Sequence, residues 1–145
     1  MKARLTQLAG GVDTPALLFV AGHGAHFNPI TDAERHRLHE GALICGDWPG
    51  PLWKKRIPDN WYLHPGDLGD ESRLWGSIAI FFACFGAGTP RLNDFYHRST
   101  PERPEQLQLT DKATMAPLPR RMLSHPNGGA LDPAGGERRR RGGPG

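Results

Sequence analysis

Apolar residues along the chain gather into three short runs set among long polar stretches rich in glycine and proline. Residues 15–21 read P-A-L-L-F-V-A and end at Gly22; residues 77–84 read S-I-A-I-F-F-A-C and run into F-G-A-G. Neither run alternates, and short unbroken runs of this length predict strands buried in a parallel sheet with helices on both faces. Residues 41–45 (G-A-L-I-C) are shorter and lead into D-W-P-G, a turn signal. They predict one arm of a hairpin or an outlying strand.

Helical patterns lie between these runs. Thr31–Glu40 opens on Thr31 or Asp32 as N-cap with Glu34 in the first turn, and its His and Arg content predicts an exposed helix. Pro65–Trp75 has acidic residues early and only Leu68 and Leu74 as apolar anchors. Pro117–Ser124 predicts a short helix stopped by Pro126 and Gly128. Thr89–Asp111 is polar and proline-bearing, and predicts a loop with little structure of its own. Residues 132–145 hold nothing apolar larger than alanine or proline, so a disordered Gly/Arg/Pro tail is expected there. The organisation expected is a lead segment over 1–14, one α/β domain over 15–131, and the tail.

Composition narrows the function classes. The net charge is only +3, and the last fourteen residues carry four Arg against Asp132 and Glu137. The basic balance therefore belongs largely to the tail and gives no footing to a nucleic-acid partner. Two cysteines in 145 residues make no disulfide framework and suit a reducing, cytoplasmic setting where a thiol stays free. No secretory h-region and no stretch of about 20 apolar residues is present, so no membrane association is expected.

Each of the two long runs ends in a residue type that does chemistry. The first passes into Gly22-His23-Gly24, the second into Ala83-Cys84-Phe85-Gly86. In parallel α/β sheets, sites form beyond the carboxyl ends of the strands. If the two runs are parallel neighbours, a thiol and an imidazole meet there, the base making the thiol a nucleophile. Flanking glycines leave backbone N–H groups free for an oxyanion.

The words F-V-A-G-H-G-A (19–25), G-A-L-I-C-G-D-W-P-G (41–50), F-F-A-C-F-G-A-G-T-P (81–90) and L-P-R-R-M-L-S-H-P-N-G-G-A-L (118–131) come in one order. In that order the chain resembles the bacterial CHAT-type domains of the caspase-hemoglobinase-fold cysteine peptidases, over about residues 15–131. The 61 residues from His23 to Cys84 are near the ~50 described for caspases. The resemblance implies a caspase-like three-layer sandwich with a mostly parallel central sheet. It implies Cys84 as nucleophile, His23 as base and leaving-group acid, and the amides of Gly24 and Cys84 as the oxyanion hole. It implies hydrolysis of peptide bonds in a protein or peptide substrate, with no metal or organic cofactor. Asp47 is the nearest acidic candidate for a pocket that takes a basic substrate residue; as a turn residue it equally caps Trp48-Pro49-Gly50.

The pattern departs from the family at both ends, where further strands are expected and fourteen residues or an Arg/Gly/Pro tail stand instead. An incomplete sheet, truncated or frame-shifted at its C-terminal end, is the expectation. Its open apolar edge suits an activating or self-associating protein partner, and a catalytically inactive CHAT-like interaction module is the alternative function. Among the other candidates, Cys45 is expected as a core thiol. His26 lies three residues after His23 without the H-E-x-x-H spacing, so no metal site is expected. His36, His39, His64, His97 and His125 are expected at the surface. Gly86-Ala87-Gly88 has Arg91 where a third nucleotide-loop glycine would stand, which excludes a nucleotide loop.

Overall fold

The computed structural model describes residues 1–102 and 107–130; the expected tail lies outside them. Over the described residues the fold is mixed α/β, with three helices and small sheets, one of them a parallel pair. The lead segment is a helix, α1 (Lys2–Gly10). Leu5, Leu8 and Ala9 stand at helical spacing and pack on the core, which is why the segment folds although its apolar residues are few.

The parallel pair joins β1 (Leu17–Ala21) and β4 (Ile78–Phe82), in register from Leu17 opposite Ile78 to Ala21 opposite Phe82. Between them come α2 (Ala33–His39), β2 (Leu43–Ile44) and β3 (Tyr62–Leu63); β2 and β3 pair antiparallel. After β4, β5 (Gly88–Thr89) pairs with β6 (Thr114–Met115), and α3 (Pro117–Leu123) follows. The region expected as loop is partly ordered by this hairpin and by a bridge between Leu92 and Gln108.

Pro65–Trp75 does not form the predicted helix. Only Pro65–Asp67 makes a 3-10 turn, capped reciprocally by His64 and Asp67. Gly66, Gly69 and a sparse apolar pattern give a helix little to propagate on. Leu68 and Leu74 nevertheless anchor the core, both buried with Leu18, Leu43, Leu63, Leu118 and Met122.

One face of the β1/β4 pair, carrying Leu18, Val20, Ala79 and Phe81, packs on this core. The other carries Leu17, Phe19, Ile78, Ile80 and Phe82, all exposed. The strands were expected to be buried on both faces; among the described residues only one face is covered. Their unbroken apolar pattern thus leaves an uncovered apolar surface.

Candidate functional site

β1 and β4 deliver the two chemistry-bearing residues to the same end of the sheet. The last pair in register is Ala21 with Phe82, and Gly22 N–H donates to Phe82 O at 3.1 Å. Two residues further along each strand stand His23 and Cys84. Both lie past the strand ends: His23 follows a bend at Gly22, and Cys84 stands in a turn closed by Gly86 N–H to Ala83 O at 3.1 Å. Both are exposed.

Beyond the sheet the two backbones stay close. Gly24 packs against the Cys84 carbonyl with no room for a β-carbon, and Gly41, at φ +73°, packs in the same way against the Phe85 carbonyl. Phe85 itself is the single non-glycine residue with positive φ (57°) among the described residues, a costly conformation directly after the candidate nucleophile. The 23–25 segment pairs antiparallel with 42–44, through Ile44 N–H to His23 O and Ala25 N–H to Ala42 O. Among the described residues no acceptor takes the Gly24 or the Cys84 amide. Two N–H donors are thereby left next to the thiol.

The His23 ring meets Trp48 edge to face, with centroids 5.3 Å apart. It has no hydrogen-bond partner among the described residues, and the Trp48 indole N–H is enclosed without an acceptor. Trp48 is thus the group that limits His23. Sequence reasoning saw it only as part of a turn. The neighbouring Asp47 is exposed and accepts from the Met1 ammonium at 3.0 Å rather than capping its own turn.

The histidine held by a carboxylate is His26. Its Nδ1 lies 2.7 Å from Glu40 Oε1, and this hydrogen bond raises its pKa above the ordinary value despite partial burial. Its ring stacks on Phe85 at 4.7 Å. Cys45 is buried as expected, and burial pushes its thiol pKa up, so it is no competitor for nucleophile.

Four of the histidines expected at the surface, His36, His39, His64 and His125, are half-buried or buried. His125 is buried against Gly69 O, His36 hydrogen-bonds Phe27 O, and His64 stacks on His39 at 4.1 Å. Polar neighbours in sequence hid the tertiary partners that pay the cost of enclosing an imidazole. His97 is exposed.

No family model matches the chain, and no curated protein or solved structure shows significant similarity to it. Among the described residues no helix is long and apolar enough to cross a membrane.

Proposed function

We propose that the chain is a caspase-like cysteine peptidase of the CHAT type that hydrolyses peptide bonds through Cys84 and His23. The observation that supports this reading is the parallel register of β1 and β4, whose last pair, Ala21 with Phe82, stands two residues before His23 and Cys84. His23 takes the thiol proton and the Cys84 sulfur bonds to the scissile carbonyl carbon. The oxyanion is held by the Gly24 and Cys84 amides. The carbon–nitrogen bond then breaks, and the leaving amine departs with the proton from His23. Water, giving a proton to His23, attacks the thioester and restores the thiol. Asp47, which already holds one primary ammonium, would take the side chain of a lysine or arginine.

The experiment is alkylation of the folded chain with limiting iodoacetamide, mapped by peptide mass. Cys84 should react fast in the wild type and at least about tenfold more slowly in His23→Ala, with buried Cys45 as internal control. Slow labelling of Cys84 that His23→Ala leaves unchanged would overturn the dyad.

A second reading, a non-catalytic interaction module, is favoured by the uncovered apolar face around Phe19 and Ile80. It asks for association without His23-dependent thiol chemistry.

A further inference from the structure

We propose that His26, His36 and Glu40 bind a divalent transition-metal ion, zinc by preference, at the wall of a cleft in front of Phe85. One candidate ligand atom from each of the three lies within 4.8 Å of the others. His36 and Glu40 stand four residues apart, in the last turn of α2 and just beyond its end, and His26 comes from the segment after β1. Two imidazoles and a carboxylate are a donor set that suits zinc and leaves a coordination position open.

The surroundings orient these donors. The His36 Nδ1–H donates to Phe27 O at 2.9 Å, and Nδ1 lies 3.3 Å from Glu40 Oε2, so a metal takes Nε2, or takes Nδ1 once that nitrogen gives up its proton and the Phe27 bond. Phe27 N–H donates to Glu40 Oε2 at 2.9 Å and fixes the carboxylate, whose side chain is 3% exposed. Tetrahedral zinc asks for donor atoms about 3.4 Å apart, given bonds of about 2.0–2.1 Å. The His26 side chain is 49% exposed, and binding exchanges its Nδ1 hydrogen bond to Glu40 Oε1 for a bond to the metal.

The alternative is an ion-pair cluster in which an imidazolium satisfies Glu40, and metal titration separates the two. His26 and His36 line a cleft of about 680 Å³ through which an ion reaches them. The site uses neither Cys84 nor His23, so it stands or falls apart from the peptidase reading.

The test uses the full chain, stripped with a chelator, and zinc or cobalt ions alone. Competition with a chromophoric chelator should give one tight site per chain. His26→Asn, whose half-exposed side chain leaves the fold intact, and Glu40→Gln, which keeps an acceptor for Phe27, should each weaken it at least about tenfold. His97→Ala and Cys84→Ser should leave it unchanged. The cobalt spectrum should lack a thiolate charge-transfer band. Absence of a tight site, affinity indifferent to His26→Asn in a variant shown folded by circular dichroism, or loss of the site in Cys84→Ser would each overturn the proposal.

Discussion

Gly24 sets its α-carbon directly against the carbonyl of Cys84, so that any side chain at position 24 would overlap that oxygen. The contact ties the loop after β1 to the loop after β4, the two loops that carry His23 and Cys84. Gly22, two residues earlier, has open space where a β-carbon would go. Gly24→Ala should therefore cost about 1–3 kcal/mol, because backbone must move to admit the methyl. It should also slow Cys84 alkylation. Gly22→Ala should stay within about 0.5 kcal/mol and leave labelling unchanged. Urea denaturation and thiol labelling of the two variants check both statements; equal effects would remove the role given to this contact.

The strands that carry His23 and Cys84 were legible in the sequence because short apolar runs ending in glycine are a local signal. The hairpin arm at Leu43–Ile44 was legible for the same reason, and the helix Pro117–Leu123 from its stop at Pro126 and Gly128. What escaped was set by tertiary contacts. α1 is amphipathic only weakly, and Leu5 and Leu8 declare their purpose only against the folded core cluster. Glu40 carried no motif, yet the turn of the chain brings it to His26 and His36. Arg35 read as part of an exposed helix and is buried, because Phe27, Tyr62 and Ile57 come from outside α2 to surround it.

Phe19 and Ile80 are partners in the β1/β4 register, and both lie on the uncovered face. Replacing both by threonine keeps β-branched or strand-compatible side chains and removes apolar surface. Stability should change by no more than about 1 kcal/mol, since neither residue is in the core. If this face is an interface, wild type should show a concentration-dependent sedimentation coefficient that the double variant loses. Cys84 labelling should be the same in both. Association that survives the double substitution would place the interface elsewhere.

Arg35 forms a fork around the Tyr62 hydroxyl, at 3.2 Å from Nε and 2.9 Å from Nη2, with Nη2 also donating to Ile57 O at 2.7 Å. Its guanidinium lies over the Phe27 ring at 4.3 Å. Burial, with a hydrogen bond to Asp59, pushes the Tyr62 pKa up to about 12, so the hydroxyl stays neutral at any ordinary pH. Arg35→Leu should cost about 3 kcal/mol, the lower end for breaking a buried charge site, because Asp59 remains hydrated. Arg35→Lys should recover little, having no planar fork. Tyr62→Phe should cost about 1–2 kcal/mol, and the double variant less than the two single losses added. Strict additivity in denaturant midpoints would mean that the two do not act as one network.

His64 supplies the pH dependence. Its Nδ1 accepts from Gly66 N–H at 3.2 Å, a bond that only the unprotonated nitrogen can take, and its ring stacks on His39. Burial lowers its pKa below 6.5; Asp67 and Asp59 oppose that shift, while Lys2 and Arg35 add to it. With the folded pKa below the unfolded one, the unfolded chain binds the proton first as pH falls. Stability from His64 is therefore whole above about pH 6.5 and declines from there down to the folded value. His64→Asn keeps an acceptor for Gly66 and removes the titration. The slope of stability against pH below about 6.5 should flatten in this variant, with His39, also held low by burial, keeping part of it. Urea midpoints measured from pH 7.5 to 5 decide the matter, and an unchanged slope in His64→Asn would assign the acid sensitivity to other groups.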